Sequence, residues 1–235
     1  MIELNADIGE GCDDAGLMLY LARVSIACGG HAGDAASMEA ALQLATEFGV
    51  SVGAHPSYPD RENFGRRALA ASASGIAAWV TQQTEILAEH AARLGLRLSH
   101  VKPHGALYNV GAVDREVAAA IAAAVANWDP ALALVGLSGS QLIAAGEAAG
   151  LTVLKEAFAD RGYHPDGRLV SRETHGALLV DPALAARQAR ALAAGEPVAV
   201  DGGWLRLRAD TLCLHSDTPG ALKIARAVHA ALYRG

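Results

Sequence analysis

The sequence predicts an α/β fold, a single-domain (β/α) barrel of about seven parallel strands occupying residues 1–235. Three observations predict it. Short apolar runs of about four to six residues recur along the chain, the length of buried parallel strands. Stretches of helical period separate them, so β and α units alternate as a parallel sheet requires. Each run also ends in polar, chemically active residues. Loops at the carboxyl ends of parallel strands build active sites, and closing the sheet makes those loops converge.

The runs lie at 2–6, 24–28, 50–54, 98–101, 132–136, 152–154 and 211–214. Between them, Met38, Leu42 and Ala45 share one helical face, and Ile76, Val80, Leu87, Ala91 and Leu94 another. Val117, Ile121, Val125 and Trp128 form a third stripe, and Leu222, Ala225, Val228 and Leu232 a fourth. Gly49, Gly95 and Gly150 stand where helices stop, while Asp181-Pro182 and Thr218-Pro219 resemble an N-cap followed by a first-turn proline. The length of 235 residues suits one barrel, which typically needs roughly 250.

Composition narrows the classes of function. With 52% hydrophobic and 19% charged residues the chain can build a packed core. A net charge of −6 with no basic run argues against a nucleic-acid partner. The amino terminus shows no basic segment leading into an apolar one, and the longest apolar stretch, 117–126, falls short of the ~20 residues that span a bilayer. Cys12, Cys28 and Cys213 form neither a disulfide framework nor a CxxC pair. The expectation is a cytoplasmic protein without a membrane segment.

The strand ends carry the candidate chemistry. Asn5 and Asp7 fall on one side of an extended strand, where Asp7 can serve as general base or metal ligand. Cys28-Gly29-Gly30-His31-Ala32-Gly33-Asp34 reads as a glycine loop whose amides cradle an anion, with His31 reaching the pocket and Asp34 capping a helix. His55 opens a long polar loop containing Arg61, Arg66 and Arg67, any of which can grip a carboxylate or phosphate. Lys102 and His104 stand two apart across Pro103. A lysine behind an apolar strand is costly to bury, so a nearby carboxylate or an anionic ligand should compensate it. Asp160 and Arg161 follow the sixth run, and His215 with Asp217 closes the last as a prospective His–carboxylate pair. His90 and His229 sit in helical patterns and read as ordinary surface or packing residues. No GxxxxGK[ST], HExxH, GxSxG or CxxC motif is present, so any ATP is not held by a recognisable phosphate loop.

Taken together, LNADIGEG at 4–11, IACGGHAGD at 26–34, GAHPSYPDRENFGR at 53–66, HVKPHGALYN at 100–109, FADRGY at 158–163 and CLHSDTP at 213–219 resemble the family of 5-oxoprolinase A subunits, the LamB/YcsF-type lactam-utilisation proteins. The resemblance implies a barrel similar to the glycoside hydrolase/deacetylase superfamily. It also implies opening of 5-oxo-L-proline to L-glutamate with ATP hydrolysis, alongside partner subunits B and C. Three positions depart from the family pattern: Ser25 replaces an Asn, Ser216 replaces a Gly, and Gly30 stands where an aromatic is frequent. On this reading Asp7, His31, His55, Lys102, His104 and His215 are the catalytic candidates, with Asp7 or His31 activating water. Asn5, Arg61, Arg66, Asp160, Arg161 and Asp217 are the substrate-binding candidates. Two alternatives remain open: a metal-dependent deacetylase-like hydrolase, with Asp7, His31 and His55 on Zn²⁺, and a non-catalytic subunit that binds oxoproline.

Overall fold

The computed structural model describes residues 2–233. Seven parallel strands close into a barrel in the order β1 (Glu3–Ile8), β2 (Arg23–Ala27), β3 (Ser51–His55), β4 (His100–Val101), β5 (Ala133–Leu137), β6 (Thr152–Phe158) and β9 (Thr211–His215). Between β6 and β9 the chain adds a separate antiparallel hairpin, β7 (Val198–Val200) and β8 (Gly203–Leu205), which the sequence reading missed. The helices are α1 (Ala15–Met18), α2 (Ala35–Phe48), α3 (Ala73–Arg93), α4 (Gly105–Val113), α5 (Arg115–Trp128), α6 (Gln141–Ala148), α7 (Pro182–Ala194) and α8 (Ala221–Tyr233). Among the described residues no helix is long and apolar enough to cross a membrane.

Closure is set by β1, which pairs with β2 on one side and β9 on the other, with Asp7 level with both Ser25 and His215. Every predicted strand is present, but the boundaries move in ways that matter. β1 runs past Asp7 to Ile8, and β6 runs to Phe158, so Asp7 and Glu156 project from strands rather than from loops. β4 is short because Pro103 offers no amide, although the Lys102 amide still donates to Ala54 O at 2.9 Å.

Strand alternation sorts the side chains. Leu4, Ala6 and Ile8 are buried in the hydrophobic core, while Asn5 and Asp7 meet Lys102 inside the barrel. Lower in the barrel His100 takes the centre, and a Cβ on Gly53 would collide with its ring. Burial drives the His100 pKa down to about 3, so the ring is neutral and is held by the Ser99 hydroxyl at 2.9 Å and the Ser25 hydroxyl at 3.3 Å. Ser25, one of the departures, therefore has a place as a partner of His100.

Asp34 caps α2 in a reciprocal box with Ser37, Gly49 ends it in the left-handed region, and Asp181 with Pro182 starts α7. Thr218 does not cap α8; its hydroxyl donates to Asp160 Oδ2 at 3.0 Å, and the helix begins at Ala221. Ile224, Ala225 and Val228 form the buried face of α8, whereas Leu222 and Leu94 are exposed. His90 and His229 do pack, His90 near Glu39 and His229 edge-on to Tyr20.

Asp14 precedes α1 and accepts the Gly9 amide at 3.0 Å. Burial raises its pKa to about 6, and the charges of Glu10 and Asp13 act in the same direction, against the Gly9 hydrogen bond. The folded value lies above the unfolded one of about 3.9, so this group stabilises the fold at low pH and loses that contribution as pH rises through about 6. Asp14→Asn keeps an acceptor and removes the charge. Thermal melts should show a higher Tm for the variant above about pH 7 and no gain near pH 4.

Candidate active site

A cavity of about 540 Å³ opens at the carboxyl end of the barrel. Lys102 forms its floor. The ammonium is 2% exposed as a residue and lies 2.9 Å from Asp7 Oδ1 and 2.8 Å from Glu156 Oε1. It also donates to Asn5 Oδ1 at 3.3 Å, and Tyr108 donates to Glu156 Oε2 at 2.8 Å. Burial alone would neutralise this lysine, but the two carboxylates hold its pKa well above the ordinary value. Burial likewise pushes Asp7 up, yet His55 and Lys102 keep its carboxyl well below the usual range. Lys102 and Asp7 form an ionised pair.

One wall is built from histidines. His55 Nδ1 donates to Lys102 O at 2.7 Å and His104 Nε2 to Phe64 O at 3.0 Å, because a carbonyl can only accept. His31 stacks on His104 with ring centroids 3.6 Å apart. Glu10 Oε1 stands 2.9 Å from His31 Nε2, 3.2 Å from His104 Nδ1 and 3.7 Å from His55 Nε2. Burial raises the Glu10 pKa, but the surrounding imidazoles of His104, His31 and His55 hold it well below the usual range. Burial takes His31 down to about 4. Burial also opposes charge on His55, but Asp7 raises that ring above its ordinary value.

On the opposite wall His215 Nδ1 lies 2.9 Å from Asp160 Oδ1, and Phe158 stacks on the His215 ring with centroids 5.3 Å apart. At the mouth, Asp217 accepts from Arg66 at 2.7 Å and Arg172 at 2.8 Å.

The LamB/YcsF family matches residues 2–235, which include every one of these groups. The chain belongs to the LamB/YcsF family. The A subunit of 5-oxoprolinase from Chloroflexus aggregans (strain MD-66 / DSM 9485) is 49% identical over 238 residues, covering 98% of this chain and 94% of that protein. The crystal structure of a lactam utilization protein from Thermus thermophilus matches with a TM-score of 0.92 at 43% identity, covering 99% of this chain and 96% of that one. A structure from Enterococcus faecalis V583, 11% identical with a TM-score of 0.52 over 97% of this chain and 90% of its own, shares the fold alone.

In this LamB/YcsF chain Asp7, His55, Lys102, His104, His215, Arg66, Arg161 and Asp217 line the cavity, as the sequence reading expects. The other candidates sit elsewhere. His31 lies behind His104, Asn5 behind Lys102 and Asp160 behind His215, each one layer from the cavity surface. Arg61 does not face the cavity; it donates to Gly29 O and Gly33 O, both at 2.9 Å, and clamps the glycine loop. In that loop the Gly29 amide is spent on Ala32 O at 2.7 Å and Asp34 occupies the helix end, so neither of these is open to an anion. Arg67 is exposed. The expected His215–Asp217 pair is replaced by His215–Asp160, because barrel closure sets β6 beside β9 and brings Asp160 against the ring.

Four groups at this site were not among the sequence candidates: Glu10, Glu156, Tyr108 and Arg172. Glu156 had a signal, a carboxylate at the edge of an apolar run. Arg172 had none, since its loop shows no periodicity. The departures from the family pattern are absorbed locally. A Cβ on Gly30 would strike Gln83 and Ser57, so Gln83, bonded to Ser57 at 2.8 and 2.9 Å, takes the space of an aromatic. Ser216 lines the cavity and donates to Asp7 O at 3.1 Å.

Proposed function

We propose that this chain opens 5-oxo-L-proline to L-glutamate as the A subunit of a cytoplasmic, ATP-dependent 5-oxoprolinase with partner subunits B and C. The observation that carries the reading is the buried Lys102–Asp7–Glu156 floor facing His215 across a pocket rimmed by arginines. It is supported by the 49% identity to a protein named as the A subunit of a 5-oxoprolinase. Three free thiols, two of them buried, fit a reducing compartment.

In this scheme the partners use ATP to phosphorylate the lactam oxygen, and the barrel supplies the water addition. Arg161 and Arg66 hold the carboxylate and the phosphate; Arg161 Nε is buried with no hydrogen-bond partner among the described residues. Lys102 stabilises the negative charge of the phosphorylated substrate as water adds. His215, its Nδ1 fixed by Asp160, turns Nε2 to the cavity and moves the protons. Water adds to the activated carbon, the C–N bond breaks with its electron pair going to nitrogen, and nitrogen takes a proton. A second water releases phosphate and leaves glutamate. Asp7 remains the alternative water base, while His31 lies too deep to reach it.

The test is glutamate release from 5-oxoproline with ATP, by this chain alone and with subunits B and C. Release only in the combined reaction is expected. ATP-dependent turnover by the single chain, or none with partners, would overturn the division of labour. Normal oxoproline binding with intact turnover in Lys102 and His215 variants would instead favour a non-catalytic binding subunit.

A further inference from the structure

With neutral rings, the hydrogen bonds of the histidine wall do not close. His55 and His104 each spend one ring nitrogen as donor to a backbone carbonyl. In the neutral rings the remaining nitrogens, His55 Nε2 and His104 Nδ1, carry bare lone pairs, yet they face each other at 3.0 Å. Two carboxylate oxygens point to the same spot: Glu10 Oε1 at 3.2 Å from His104 Nδ1, and Asp7 Oδ2 at 3.3 Å from His55 Nε2. His31 Nε2 can donate to Glu10, but His31 Nδ1 is then buried with no hydrogen-bond partner among the described residues. Lone pairs converging on one point require positive charge there.

The charge count asks for the same thing. Asp7, Glu10 and Glu156 bring three buried or nearly buried carboxylates to this end of the barrel, and Lys102 answers one of them. With neutral imidazoles two negative charges stay uncompensated, and buried unpaired charge is expensive. A divalent cation supplies what is missing.

We propose that Glu10, His31, His55 and His104 bind one divalent transition-metal ion, with zinc the best match. Their donor atoms all lie within 4.8 Å of one another. A tetrahedral zinc with bonds of about 2.0–2.1 Å separates its ligand atoms by roughly 3.3 Å. The contacts of 2.9, 3.0, 3.2 and 3.7 Å bracket that spacing. Three imidazoles and one carboxylate suit zinc better than magnesium or calcium. The carbonyls of Lys102 and Phe64, which fix the tautomers of His55 and His104, are the outer partners that metal-bound histidines use. The set differs from the Asp7–His31–His55 trio of the metal-dependent alternative, because Asp7 commits Oδ1 to Lys102 while Glu10 and His104 complete the cage.

The experiment needs neither lactam nor partner subunits, so its failure is separable from failure of the proposed reaction. The full chain is stripped with a chelator, shown to be folded by circular dichroism, and titrated with zinc and with cobalt. One equivalent bound per chain by elemental analysis, a Tm that rises saturably with zinc, and visible cobalt bands of a tetrahedral site are expected. Glu10→Gln and His104→Asn should each weaken zinc binding by at least about a hundredfold. A folded, stripped chain that takes up neither metal at micromolar concentration overturns the site and leaves protons to balance the charge. So does wild-type zinc affinity in both variants. Should the variants unfold, the titration of the unmutated chain decides alone.

Discussion

Lys102→Met should lower partner-coupled glutamate release by roughly two to three orders of magnitude, the loss seen when one oxyanion donor is removed. It should also destabilise the protein. An unpaired buried ammonium would make methionine the better residue, but two carboxylates at 2.9 and 2.8 Å reverse the sign. Deleting the cation strands Asp7 and Glu156, and breaking a buried pair in this way costs about 3–5 kcal/mol. The pH dependence follows. Asp7 has a folded pKa below its unfolded one, so in the unmutated chain it contributes stability above about pH 4 that is lost on acidification. Without Lys102 the part of that contribution not supplied by His55 goes, so the stability gap between the two proteins is widest near neutrality and narrows as acid protonates Asp7. Urea melts at both ends of that range measure it. Adding Glu156→Gln should restore part of the stability and none of the turnover, which separates catalysis from folding. A single variant that melts normally and turns over at the unmutated rate would make Lys102 a structural residue.

The contrast between floor and walls shows what a sequence can carry. Lys102 was legible because one charged residue behind an apolar strand has few explanations, and Asn5 with Asp7 because strand alternation has period two. The seven strands were legible for the same local reason, apolar runs of fixed length. Pairings across the barrel were not. Asp160 meets His215 only because β6 and β9 are neighbours at closure, a contact across 55 positions, and nearest-in-sequence reasoning chose Asp217 instead. Glu10 was hidden among turn residues, and its meeting with three histidines from the ends of three different strands depends on the closed ring. Arg61 was misplaced because an arginine in a polar loop looks alike whether it grips a ligand or a backbone carbonyl.

Asp160→Asn should cut glutamate release by about 10²- to 10⁴-fold, with a smaller cost to the fold. The carboxylate accepts three donors, the His215 ring Nδ1–H at 2.9 Å, the His215 amide at 3.2 Å and the Thr218 hydroxyl at 3.0 Å. Asparagine keeps one acceptor and offers an amide donor. Set against the ring, that donor favours the tautomer with its proton on Nε2, turning the cavity-facing nitrogen from proton acceptor to donor. A wrong tautomer at the base of a proton transfer costs this order of rate. Losing a charged acceptor costs about 1.5–3 kcal/mol of stability. Burial pushes the Asp160 pKa up, but His215 and the other donors bring it below its ordinary value. Its stabilisation is therefore present above about pH 4 and lost as pH falls further, so the Tm difference between variant and parent should close on acidification. Asp217→Asn is the internal control. Its arginine partners lie at the solvent-accessible rim, so it should cost less than about 1 kcal/mol and act mainly on KM. Loss of kcat in Asp217→Asn together with normal kcat in Asp160→Asn would transfer the histidine's partner back to Asp217 and remove His215–Asp160 from the reaction.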